Sequence, residues 1–135
     1  MLRPAADGPS VIVCSTCRHG EDAREDDEGV RGGARLAGLL RGLARSESVY
    51  ARIAVEEMPC LFACKEYCAV HIRAPGKVGY VLGRFTPDEA AARAILDYAV
   101  HHAASAEGRV AYADWPEGVK GHFLVRVPPP GFVAE

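Results

Sequence analysis

Four cysteines stand in two short-spaced pairs, Cys14-Ser15-Thr16-Cys17 and Cys60-Leu61-Phe62-Ala63-Cys64, with some forty residues between the pairs. A chain that uses both pairs at one site must fold so that two distant loops meet. A separation this wide exceeds what a compact zinc ribbon spans. The apolar run Val11-Ile12-Val13 ends directly at Cys14 and reads as a buried strand delivering the first pair to the edge of a sheet. Cys68 makes the cysteine count odd, which fits a closed disulfide framework poorly.

At 135 residues, 49% hydrophobic and 25% charged, the chain is long enough to bury a core without disulfides, so residues 1–135 are expected to form one domain. The polar stretch 1–10 is expected to be a flexible N-terminal segment. A net charge of -2 gives no reason to expect a phosphate-tracking surface, and nucleic acid is not an expected partner. The run at Val11 is too short for a signal-peptide core or a membrane span, so a cytoplasmic protein without membrane contact is expected. In that compartment thiols stay reduced, and cysteines serve as metal ligands or reactive thiols.

After Cys17, residues Glu21 to Gly32 combine six acidic side chains with little apolar content, and they read as a loop. A helix is expected from about Gly33 to Arg35 onward, because Leu36, Leu39, Leu40 and Leu43 fall at i, i+3, i+4 and i+7. Alternation over Ala51 to Glu56 predicts a half-buried strand that Pro59 ends. Cys68, Val70 and Ile72 alternate with Ala69, His71 and Arg73, and a further strand is expected within Val78 to Phe85. Ala74-Pro75-Gly76-Lys77 between them suits a tight turn, giving an antiparallel hairpin. Thr86-Pro87-Asp88-Glu89 reads as a helix start with Thr86 as cap, the helix running to about Ser105 with Ala91, Ile95, Tyr98 and His102 on one face. Beyond Gly108, residues Arg109 to Tyr112 and His122 to Val127 read as short extended segments. The predicted order is β-α-β-β-β-α, a mixed sheet with packed helices.

Four thiolates from two loops suit a [2Fe–2S] cluster, in which neighbouring sulfurs clamp each iron. They also suit tetrahedral Zn²⁺, although the three residues inside the second pair depart from the common spacing of two. A dithiol oxidoreductase needs its first cysteine at a helix start, whereas here an acidic loop follows Cys17 and opposes thiolate formation. A metal carrier or accessory in cofactor assembly would use the same cysteines as transfer ligands. Gly20, Gly29, Gly32 and Gly33 offer a backbone able to come close to an anionic cluster. Cys68 reads first as a small buried hydrophobe and second as an alternative ligand. His101 and His102, adjacent in a helix, point in different directions and read as structural. No serine–histidine–acid arrangement or phosphate-binding loop is present, so no catalytic residues are assigned.

The stretches Val13-Cys14-Ser15-Thr16-Cys17-Arg18, Pro59-Cys60-Leu61-Phe62-Ala63-Cys64-Lys65, Cys68-Ala69-Val70, Ala74-Pro75-Gly76-Lys77 with Tyr80 and Gly83, and Arg126-Val127-Pro128-Pro129 resemble the DUF1636 family of predicted metal-binding proteins. That family is grouped with the thioredoxin-like [2Fe–2S] ferredoxins. The resemblance implies a thioredoxin-like α/β fold, and its C-x-x-x-C loop maps the second ligand pair onto Cys60 and Cys64. In the wider class the first two cysteines are further apart than Cys14 and Cys17. Residues and resemblance together predict a ferredoxin-like electron carrier, not an enzyme, with Cys14, Cys17, Cys60 and Cys64 holding one [2Fe–2S] cluster. Structural zinc or a metal carrier is the alternative. A redox partner protein is expected to dock at the acidic loop 21–28, and homodimerisation is left open.

Overall fold

The computed structural model describes residues 2–135. Strand β1 (Ser10–Cys14) is an inner strand of the chain's sheet and is buried along its whole length. It pairs in parallel with β2 (Ala54–Met58) and antiparallel with β3 (Val70–Arg73). The turn 74–77 then reverses the chain into β4 (Gly79–Leu82), as its sequence predicts: the Lys77 N–H donates to the Ala74 carbonyl at 3.2 Å and Gly76 takes a φ of 72°. A fifth strand, β5 (Phe123–Val127), pairs antiparallel with β4 and closes the order β2-β1-β3-β4-β5. The expected order β-α-β-β-β-α therefore lacks its last strand. Of the two segments read as extended after Gly108, the one at 122–127 is this strand, and the one at 109–112 leads into a 3₁₀ turn at Tyr112–Asp114. There the Trp115 indole N–H takes the Val110 carbonyl at 2.9 Å, so that stretch has no strand partner.

Helices α1 (Gly32–Ser46) and α2 (Glu89–Ala104) cover one face of the sheet. Alternation along β1 turns Val11 and Val13 toward them, opposite Ile72 and Val70 of β3. Leu36, Leu40 and Leu43 of α1 are buried there, with Leu39 half-buried, as the period of the sequence requires. From α2 come Ile95, Tyr98 and His102, and Trp115 stacks on Phe123 with centroids 4.5 Å apart. Each such aliphatic side chain taken from water stabilises the fold by about 1.5–3 kcal/mol before entropy is charged against it.

Three local readings shift. Strand β2 starts at Ala54 instead of Ala51, because Ser48–Tyr50 forms a 3₁₀ turn that sinks Tyr50 into the core. Its hydroxyl donates to Asp97 Oδ1 at 2.6 Å, and the Ile53 N–H takes the Tyr50 carbonyl at 3.0 Å. The α2 cap is Asp88, not Thr86: its carboxylate accepts the Ala91 N–H at 2.8 Å, and Pro87 precedes the cap. The stretch read as flexible is tethered, with Ser10 already inside β1, Arg3 bonded to the Glu57 carbonyl at 2.9 Å, and the Ala54 N–H on the Pro9 carbonyl at 3.0 Å. Met1 lies outside the described residues. Among the described residues no helix is long and apolar enough to cross a membrane.

Candidate metal centre

Strand β1 carries Cys14 to its last position, where alternation turns the side chain away from Val13 and the helical core. A tight turn follows, closed by the Cys17 N–H on the Cys14 carbonyl at 3.3 Å, and Cys17 folds back beside Cys14. With Ala69 the two cysteines form a small buried cluster separate from the main core, flanked by half-buried Leu61 and Ala63 of the second loop.

The start of α1 packs directly beneath this turn. The Gly33 N–H donates to the Cys17 carbonyl at 3.2 Å, and a Cβ at Gly33 would lie 1.8 Å from the Cys14 carbonyl oxygen. At Gly32 it would lie 2.3 Å from the Arg18 carbonyl oxygen. Gly32 and Gly33 thus allow α1 to meet the backbone of the cysteine turn, while Gly20 and Gly29 face open space. No acidic side chain occupies the first turn of α1, so its positive end faces the cysteine loop uncompensated from within the helix.

Backbone donors converge on sulfur. The Ala69 N–H points at Cys17 Sγ at 3.4 Å and the Phe62 N–H at Cys60 Sγ at 3.2 Å, while Cys14 Sγ lies 4.0 Å from Thr16 Oγ1. The neighbouring Cys17 thiol is the largest influence on Cys14 and, aided by Leu61 and Thr16, brings its pKa down to about 5 against the opposing effect of burial. Cys17 keeps the shared proton, and its pKa is raised by that hydrogen bond first and by burial second.

The structure thus joins Cys14 to Cys17 and brings the second loop to them through the packing of Leu61 and Ala63. Cys60 is half-buried and Cys64 exposed on that loop, and all five cysteines are free thiols. Among the described residues no three His, Cys, Asp or Glu side chains are gathered closely enough to hold a metal ion. The donor chemistry fits an iron–sulfur cluster nonetheless: thiols alone, N–H groups aimed at two of the four sulfurs, and apolar cover on one side.

Cys68 is fully buried in the main core. It stands just before β3, not in it, at a φ of 52°, and its thiol donates to the Arg18 carbonyl at 3.3 Å. Burial, with Cys14 nearby, pushes its pKa up to about 12. His102 is a core residue whose Nε2 meets the Val78 carbonyl at 2.6 Å, and His101 is exposed, so neither approaches the cysteines. The acidic loop is built around Asp26. Its Oδ1 accepts the N–H groups of Glu28 (2.8 Å) and Val30 (3.0 Å), and Arg35 lies 3.6 Å from its other oxygen. Sequence reasoning missed Ala69 and Phe62 as donors to sulfur, because a peptide N–H leaves no mark in the residue type.

The family model described as "Protein of unknown function (DUF1636)" matches residues 11–129. The chain belongs to this family. A solved structure described as a thioredoxin-like [2Fe–2S] ferredoxin from Aquifex aeolicus superposes on this DUF1636 protein with a TM-score of 0.53 at 16% identity. The match covers 95% of this chain and 100% of the other. This DUF1636 domain therefore has the thioredoxin-like α/β fold that its sequence leads one to expect. No curated protein sequence matches it.

Proposed function

We propose that this DUF1636 protein holds one [2Fe–2S] cluster on Cys14, Cys17, Cys60 and Cys64 and serves as a one-electron carrier, not a catalyst. The observation that carries the reading is the set of backbone N–H groups aimed at cysteine sulfurs from two loops at one end of the sheet. Thiolates that must remain anionic inside a protein need such donors. The Aquifex aeolicus structure supports it as a fold in which a [2Fe–2S] ferredoxin is built.

A bound cluster would supply the one-electron redox chemistry. The rest falls to the chain. Cys14 and Cys17 stay fixed by β1, Ala69 and the start of α1, and Cys60 and Cys64 would join them from a loop whose Leu61 and Ala63 already pack against the first pair. Leu61, Ala63 and Ala69 keep water from one side.

Iron and acid-labile sulfide analysis with a visible spectrum, on protein purified without oxygen, tests the proposal. About two irons and two sulfides per chain, with a brown colour that bleaches on reduction, are expected. Serine at any of the four positions should abolish the colour. One zinc per chain and no colour would replace the cluster with a structural zinc site, and metal lost readily to chelators would favour a carrier.

A further inference from the structure

The face of the sheet turned away from α1 and α2 carries a cavity of about 360 Å³ at the end opposite the cysteines. Its floor is a row of facing residues. Ser10 opens β1 and stands opposite Arg73 of β3, and the β3–β4 ladder, continued by one residue, sets Arg73 beside Gly79. Alternation puts all three on the face away from Val11 and Ile72, and His71, two positions from Arg73, shares it. A Cβ at Gly79 would stand 2.8 Å from His71 Nε2, so the glycine leaves that nitrogen room in the row of Ser10 and Arg73. The segment 6–8 makes one wall, held by the Ala6 N–H on Glu56 Oε1 at 3.2 Å, and Pro75 and the prolines 128–130 make the others.

The polar groups on this floor are uncommitted. Ser10 is only 3% exposed, yet its hydroxyl meets no hydrogen-bond partner among the described residues, and neither do the ring nitrogens of His71 or the guanidinium of Arg73. A buried polar group left unpaired is costly, so such a cluster must be served from the cavity. Burial, aided by Arg73, holds His71 below its usual pKa, and the neutral ring can donate from one nitrogen. The charges on the walls are mixed, and each has a place. Lys77 lines the cavity, but its ammonium is taken by the Ala103 carbonyl. Arg73 and Asp7 remain, one cation and one acid, and among the described residues no ion pair joins either.

We propose that this cavity binds a small zwitterion, an α-amino acid with an apolar side chain. Its carboxylate meets Arg73, the Ser10 hydroxyl and His71 Nε2–H, its ammonium meets Asp7, and its side chain lies along the prolines. A lone anion would face Asp7 and a lone cation would face Arg73, whereas a ligand with both charges completes the pair that the protein leaves unmade. The volume falls within the range of small-molecule sites, and an apolar wall with a few fixed polar groups is their usual make-up. From Ser10 to Cys14 the strand advances about 13 Å, so this site is separate from the cysteines and does not depend on the metal they hold.

Binding is read from amide shift titrations of the full chain, followed at Ser10, Arg73 and Gly79. L-leucine carries both charges, N-acetyl-L-leucine only the carboxylate, and L-leucinamide only the ammonium. L-leucine is expected to shift these amides with a Kd of about 1 mM or below, and each single-charge analogue to bind about tenfold more weakly. Arg73→Gln should weaken L-leucine about tenfold and leave L-leucinamide unchanged, while Asp7→Asn should remove the preference for L-leucine over N-acetyl-L-leucine. Both side chains are exposed, so the variants keep the fold, which circular dichroism checks. Glycine should bind more weakly than L-leucine, and equal binding of the two would overturn the role of the proline wall. Equal binding of L-leucine and N-acetyl-L-leucine by the wild type would overturn the zwitterion in favour of a plain anion site. L-leucine affinity unmoved by Arg73→Gln would overturn the place given to the carboxylate, and no shift at these amides with about 10 mM L-leucine would overturn the proposal as a whole.

Discussion

Gly33→Ala sets helix propensity against close packing. On propensity alone, alanine in a helix is more stable than glycine by about 0.5–1 kcal/mol. Here the new Cβ would stand 1.8 Å from the Cys14 carbonyl oxygen and 2.9 Å from its carbon, where real contacts begin near 3.0 Å. The start of α1 and the cysteine turn would have to part by about 1 Å, and because both are backbone no side chain can yield instead. Overpacking of this kind costs about 1–3 kcal/mol, and weakening the bond from Gly33 N–H to the Cys17 carbonyl adds about 1. The net expectation is a loss of about 2 kcal/mol, which lowers a urea midpoint by about 1 M at an m-value of about 2 kcal/mol/M. Gly38 and Gly42 of the same helix meet nothing within 4 Å, and alanine at either should raise the midpoint by about 0.2–0.5 M. Urea unfolding followed by circular dichroism compares the three variants. A Gly33→Ala protein as stable as the wild type would refute the close approach, and equal losses at Gly38 would trace the effect to the helix at large.

Cys68→Ser should keep full iron and sulfide content but lose about 1 kcal/mol of stability, since it places a hydroxyl in a fully buried site; loss of the metal would make Cys68 a ligand. Burial, aided by Arg73 at His71 and opposed by the Val78 hydrogen bond at His102, holds both histidines below the usual pKa. The folded state then binds fewer protons than the unfolded chain below about pH 6.5, so stability should fall as pH drops from there through the folded values, and less steeply in His102→Gln. Thermal melts across that range check the sign; a flat profile counts against burial of the neutral rings. Replacing Glu25, Asp27 and Glu28 by glutamine, with Asp26 left in place to hold the loop, should raise the midpoint potential by tens of millivolts at low salt and by less at high salt. An unchanged or lower potential speaks against a field from the loop.

What could be read in the sequence was what repeats or punctuates. The leucines of α1 have a period, the 74–77 turn has its proline and glycine, and β1 has a β-branched run stopped by Cys14, so each was legible. The start of β2 was not, because Ala51 and Ile53 alternate as a strand would; only the burial of Tyr50 and its bond to Asp97 decide for the 3₁₀ turn, and that partner lies 47 positions away. The cap of α2 was misread as Thr86, because the sequence Thr-Pro-Asp-Glu matches a capping box one place early; the carboxylate of Asp88 takes the Ala91 N–H. β5 was visible as an extended segment, but its place in the sheet depends on β4, whose ladder is interrupted between Val81 and Leu82. At the candidate site the thiols were legible as residues, while the donors that surround them are main-chain groups without a residue signature.

The two cysteine pairs occupy unequal settings, and the inequality bears on what the site is for. Cys14 and Cys17 are buried, backed by Ala69 and underlain by the start of α1, so a change at either must disturb the sheet. Cys60 and Cys64 ride on an exposed loop that ends in Phe62. A structural zinc site is closed on all sides and draws its value from four equally fixed ligands. An electron carrier needs instead a sheltered half, where burial and N–H groups set the potential, and a bare half, where a partner can come within reach of the sulfurs. With the proposed cluster in place, the acidic loop, whose end Arg31 ties to the Thr16 carbonyl, would disfavour the reduced state by its negative charge.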